Sequence, residues 1–138
     1  MSIVVDANLV VVLASKDSRA GAVERHLESW LEAGENLYAP ALLPYEVASG
    51  LTRLRAGGRL PAEELDTAWR LAQQIPIQLE PLSSGLDVIR IALQLQRSSA
   101  YDAAYIGLAE QLGADLWTLD GPLARNAAGL GYPVRLVE

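Results

Sequence analysis

The stretch Ser98–Asp120, S-S-A-Y-D-A-A-Y-I-G-L-A-E-Q-L-G-A-D-L-W-T-L-D, decides how this chain folds. Ser98 or Ser99 can cap a helix, and Gly113 stands where a left-handed C-terminal cap is expected. Between them Ala103, Ala104, Ile106, Leu108, Ala109 and Leu112 supply apolar faces. Asp102 falls in the first turn, where a carboxylate meets the positive end of the helix dipole. After Gly113 the period changes: Ala114–Leu119 is a short apolar run that suits a buried strand ending at Asp120. Gly121-Pro122 then opens another helix. This unit therefore sets one acid at a helix start and another at a strand end. Each has an ordinary explanation, as a dipole partner and a turn residue, so the rest of the chain must decide.

Outward from this unit the same alternation recurs. Ser2–Val5 reads as a buried strand stopping at Asp6, with Asn8 as the cap of a helix carrying Leu9–Leu13. Arg19–Ala33 is an amphipathic helix with Val23, Leu27, Trp30 and Leu31 inside, and His26 beside the stripe as a packing or surface residue. Leu37–Ala39 is a short strand. Pro44 opens a helix with Val47, Leu51 and Leu54 inward and Glu46 in its first turn. Arg53, Arg55 and Arg59 follow, either as a solvated helix end or as a rim that grips phosphate oxygens. Pro61 starts a helix to about Gln74. Ile75–Leu79 is a strand that Pro76 confines to an edge, and Ser83 or Ser84 caps a helix whose apolar residues are Leu86, Ile89, Leu93 and Leu95. A last strand spans Tyr132–Val137. Four or five strands separated by helices predict one α/β domain over residues 1–138, three-layered, with a mostly parallel sheet.

Composition narrows the chemistry. The 138 residues include no Cys and one His, which excludes disulfides, thiolate metal sites and multi-histidine zinc. No run is long and apolar enough to span a bilayer, and Met1 leads into a strand rather than a signal peptide, so the expectation is a cytoplasmic protein with no membrane partner. The chain is 51% hydrophobic, more than one small core needs, which with the helices bearing Trp30 and Trp69 predicts a homodimer. The net charge of −6 is the wrong sign for binding nucleic acid through bulk charge, although bound cations can reverse the field locally.

Asp6 and Asp120 end strands while Glu46 and Asp102 begin helices, positions that open onto one edge of a parallel sheet. Carboxylates brought to about 4 Å repel by roughly 1–4 kcal/mol per pair in surface-like dielectrics. Protons or cations must compensate. With only oxygen ligands on offer, Mg²⁺ or Mn²⁺ is the expected ion, able to activate water and to stabilise charge on a phosphodiester.

V-V-D-A-N at the start, the Glu of P-Y-E-V-A, Y-D-A-A-Y on a helix and T-L-D after a strand resemble the PIN-domain nucleases. More narrowly, the chain resembles the VapC-type toxin ribonucleases of toxin–antitoxin pairs, over essentially its whole length. That resemblance implies a metal-dependent endoribonuclease in which Asp6, Glu46, Asp102 and Asp120 form the acidic cluster. Asn8 matches a small polar residue that holds the first acid, and Thr118 the hydroxyl residue before the last. Asp115 lies outside the motif. The same resemblance implies RNA as substrate, dimerisation, and a small antitoxin protein as partner. Two other classes compete: a PIN-like interaction module that no longer cleaves, against which the complete set of acids argues, and an Asp-dependent phosphotransfer domain. The latter wants a downstream Lys, and the only Lys is Lys16. A P-loop nucleotide binder fails for lack of the glycine-lysine motif.

Overall fold

The computed structural model describes residues 1–97 and 99–138, so the capping role considered for Ser98 lies outside the described residues. Five strands form one parallel sheet: β1 (Ser2–Val5), β2 (Asn36–Pro40), β3 (Ile77–Glu80), β4 (Asp115–Thr118) and β5 (Val134–Leu136), in the order β3-β2-β1-β4-β5. The N-terminal strand is thus the centre of the sheet, with Val4 opposite both Tyr38 and Leu116. Its run Ile3-Val4-Val5 is apolar without alternation because both faces of a parallel sheet are covered. The strand expected over Ile75–Leu79 is an edge, but it begins at Ile77, so Pro76 precedes the ladder rather than interrupting it.

Among the described residues seven α-helices surround the sheet: α1 (Ala7–Ser15), α2 (Ala20–Glu32), α3 (Leu43–Ala56), α4 (Leu65–Gln74), α5 (Gly85–Gln94), α6 (Tyr101–Leu112) and α7 (Gly121–Gly129). Helix α6 lies across β2, β1 and β4 with α5 against it, while α1 gathers α2, α3 and α4 around itself. Helices α1 and α3 cross closely at Gly50. A Cβ built on Gly50 would stand 2.7 Å from a methyl of Val11. Gly113 ends α6 at φ +63°, the left-handed cap that leads directly into β4.

Several expectations change at the element level. Pro61 does not start a continuous helix but precedes a 3-10 turn, Ala62–Glu64, before α4 begins. Strand β4 stops at Thr118 rather than continuing to Asp120, because Asp120 instead caps α7. Helix α5 is capped by Ser84, which accepts from the Asp87 N–H, but its apolar surface is not the one expected. Val88, Ile91, Ala92 and Leu95 are buried, whereas Leu86, Ile89 and Leu93 face outward. Trp30 is inside as its stripe predicts, with its ring 5.6 Å from His26 and 5.5 Å from Trp117, whereas Leu31 of the same stripe is exposed. His26 is a packing residue in that cluster.

Candidate active site

In a parallel sheet the carboxyl ends of all strands share one edge. Asp6 follows β1 there and Asp120 lies two residues beyond β4, the neighbouring strand. The Asp6 N–H extends the ladder by donating to the Trp117 carbonyl at 3.1 Å. Glu46 reaches this edge from the first turn of α3 and Asp102 from the first turn of α6.

Asp6 is the most enclosed of the four, only 8% exposed. Burial pushes its carboxyl up from the ordinary 3.8 to about 7; the Thr118 hydrogen bond opposes this, while the charges of Asp102 and Glu46 add to it. Burial therefore favours the neutral form of Asp6 up to about neutral pH. Asp102 is also raised, first by burial and then by Asp120, although the Arg97 guanidinium sits 3.6 Å from its Oδ2. Burial outweighs that ion pair, which is long and half-exposed. These couplings link the four acids in the order Glu46, Asp6, Asp102, Asp120.

Each acid is held by a different device. Thr118, fully buried, donates its hydroxyl to Asp6 Oδ2 at 2.8 Å and accepts the Asp120 N–H at 3.0 Å, so one side chain ties both strand-end acids together. Asn8 is not the helix cap expected of it; Asp6 occupies that position, and Asn8 lies within α1. Its amide instead donates to Thr118 Oγ1 at 3.0 Å and, more weakly, to Asp6 Oδ2 at 3.4 Å, while its oxygen accepts the Leu119 N–H at 3.2 Å. Asp120 Oδ1 accepts the Leu123 N–H at 3.0 Å as an ordinary N-cap, which leaves its other oxygen available. Glu46 Oε1 accepts the Tyr105 hydroxyl at 2.6 Å. Burial, reinforced by that bond and by the neighbouring carboxylates, pushes the Tyr105 phenol far above its ordinary value, so it stays protonated and donates its hydrogen to Glu46.

Tyr105 and Arg97 are contacts that sequence patterns alone do not identify. Tyr105 lies inside Y-D-A-A-Y, three residues after Asp102 and hence on the same helix face, but its partner is remote in the chain. The arginines proposed as a rim diverge. Arg53, seven residues beyond Glu46, lies on the same face of α3 about 10 Å along the axis and donates to Ser49 Oγ at 3.0 Å. Arg55 is on the opposite face and donates to the Leu60 carbonyl at 3.3 Å, while Arg59 is exposed past the end of the helix. Asp115 is apart from the cluster, paired with Arg135 at 2.6 Å across β4 and β5.

The donor chemistry fits a hard divalent cation: four carboxylates and no nitrogen or sulfur ligand, with the buried member raised by burial and by the charge of the others. Among the described residues no three acids stand close enough to enclose an ion, so the cluster is open rather than a preformed cage.

A parallel five-stranded sheet of this order, with acids gathered at the carboxyl edge, defines a class, and the comparison with known families bears it out. Residues 3–129 match the PIN domain model, and the chain belongs to the PIN-domain family. Within it the chain is similar to Ribonuclease VapC3 of Pyrobaculum aerophilum, 31% identical over 140 residues that span 96% of this chain and 100% of that one. It is also similar to Ribonuclease VapC3 of Mycobacterium tuberculosis, 34% identical over 131 residues, covering 89% and 85% of the two chains. Its fold is shared with a crystal structure of VapBC2 from Rickettsia felis bound to a promoter DNA fragment, at a TM-score of 0.72, 12% identity and full coverage of both chains.

Proposed function

We propose that this chain is a Mg²⁺- or Mn²⁺-dependent endoribonuclease, the toxin of a toxin–antitoxin pair, with Asp6, Glu46, Asp102 and Asp120 as the metal-holding acids. The observation that carries this is Asp6: a buried carboxyl, raised to about 7, facing two other acids at a sheet edge. Carboxyls perturbed by burial and by like charges cluster at functional sites, where the charge has a use. The names of the VapC relatives support ribonuclease activity.

When bound, the cation supplies activation of water and neutralisation of charge on the phosphodiester. What the chain's own residues do can be stated separately. Thr118 and Asn8 fix Asp6 Oδ2, so this carboxyl has one orientation before any ligand arrives. The Leu123 N–H holds one oxygen of Asp120. In the free protein burial favours the neutral form of Asp6, whose carboxyl titrates at about 7, and the neutral form lessens repulsion with Asp102 and Glu46. Arg53 offers a cation on the Glu46 face for a neighbouring RNA phosphate.

Three further points belong to this proposal. The partner is a small antitoxin protein, as for toxins of this family. The chain works in the cytoplasm; no described helix is long and apolar enough to cross a membrane. It is a homodimer, joined through the outward face of α5, where Leu86, Ile89 and Leu93 are each more than half exposed and Leu82 adds to the patch.

The test is cleavage of a total RNA pool by the purified chain with Mg²⁺ or Mn²⁺, against a chelator control. Cleavage that appears with the ion and is lost with Asp6→Asn supports the assignment. RNA left intact under both ions, by a folded protein, contradicts it and favours a non-catalytic interaction module.

A further inference from the structure

We propose that Tyr105 is a positioning residue for Glu46: its phenol holds Oε1 of the carboxylate and leaves Oε2 as the oxygen presented to a divalent cation. This rests on the metal-site assignment above and adds to it a residue outside the acid set.

Tyr105 is 1% exposed, among the largest fully buried side chains of the protein. A ring at that position could be supplied by phenylalanine, and burying a hydroxyl is unfavourable unless it is satisfied. Here its hydrogen bond goes to Glu46 Oε1, at 2.6 Å, the short distance of an O–H donor on a carboxylate. Glu46 has the longest side chain of the four and, like Asp102, has no backbone or Thr118-mediated tether among the hydrogen bonds of the described residues; Tyr105 supplies the one hydrogen bond its carboxylate has there. Without Tyr105, several rotatable bonds would leave its carboxylate to wander in a half-buried cleft. Moreover, the helix that supplies Asp102 also supplies this hydroxyl one turn later, so the separation of the two acids is set through one rigid element. Partners that orient metal ligands in this way change metal affinity by about 10–100-fold when removed.

The experiment is a double-mutant cycle on Mn²⁺ affinity, measured by calorimetry on the full chain: wild type, Tyr105→Phe, Glu46→Gln and the double variant. Tyr105→Phe is expected to weaken Mn²⁺ binding by about 10–100-fold, and to have no further effect once Glu46 is Gln. Two results overturn the proposal while leaving the metal site standing: Tyr105→Phe binding like wild type when Glu46→Gln is weakened, or the two effects multiplying. A lowered melting temperature with unchanged Mn²⁺ affinity is the signature of a purely structural staple between α3 and α6, and counts as the first of these. If Glu46→Gln itself binds like wild type, the metal-site assignment fails and the proposal with it. A second readout keeps the hydroxyl in place. With 3-fluorotyrosine at position 105, Mg²⁺ addition should shift the fluorine resonance in the Glu46 protein and not in Glu46→Gln; equal shifts in both contradict the proposal.

Discussion

Asp6 carries the largest electrostatic penalty among the acids, and its sign can be worked through. Its folded-state value of about 7 lies above the ordinary 3.8, so the fold prefers the neutral form. The penalty is fully present above pH 7 and is relieved as pH falls from about 7 towards 3.8. Asp6→Asn removes it and keeps the shape. Without metal the variant should therefore be more stable than wild type by about 1–4 kcal/mol at pH 8, and the gap should shrink by pH 5. Urea melts of both proteins at the two pH values check this; a gap independent of pH would mean that Asp6 is not the group that titrates. Asp6 and Asp120 were legible from the chain because an apolar run ending in a lone acid is a local pattern. The same locality makes Asn8 read as a cap, which it is not, although it does stand beside Asp6 as the motif implies. Its type and place suit a local cap, yet its amide serves Thr118 and Leu119, more than a hundred residues away. Tyr105 was invisible on the same ground, since its partner Glu46 is on another helix.

The elements show where periodicity informs and where it misleads. Helix α5 is apolar on two sides, so pattern alone cannot say which one is inside; burial of Val88, Ile91 and Ala92 against α6 settles it. Helix α3 sorts its arginines by face, and their roles should separate accordingly. Arg53→Gln is expected to flatten the salt dependence of RNA binding by about one unit of slope, because one phosphate contact is lost. Arg55→Gln, on the opposite face and bonded to the Leu60 carbonyl, should leave that slope unchanged. Binding measured across a salt series distinguishes them, and equal slopes in both variants would move the RNA path away from α3. The crossing of α1 on α3 makes a separate demand. Gly50→Ala gains up to about 1 kcal/mol of helix propensity, but its methyl meets the stiff Val11 side chain at 2.7 Å. Overpacking costs about 1–3 kcal/mol, so a net loss of stability in chemical denaturation is expected; a gain would mean that the helices slide apart easily.

For the whole molecule, the apolar composition leaves large hydrophobic side chains at the surface as well as in the core. Trp30 is consumed by the core, and the surplus is exposed on α5 and the approach to it. If that face joins two copies, Leu86→Glu with Leu93→Glu should convert a dimer to a monomer in light scattering at micromolar concentration while far-UV circular dichroism is retained. A wild type of monomer mass would remove the dimer from the account. The acidic net charge of −6 has its own consequence at this scale: without cations the sheet edge repels a polyanion, so RNA binding and ion binding should be coupled.

That coupling rests on the acids being a cation site, and paired melting curves test this most directly. Wild type and Asp6→Asn are melted without metal and with saturating Mn²⁺. A ligand that binds only the folded state raises its melting temperature. The account predicts that metal-free Asp6→Asn melts at or above wild type, and that Mn²⁺ raises wild type by clearly more than the variant. A metal-free variant that melts well below wild type, with the same Mn²⁺ response in both, would make Asp6 a structural residue and contradict the account.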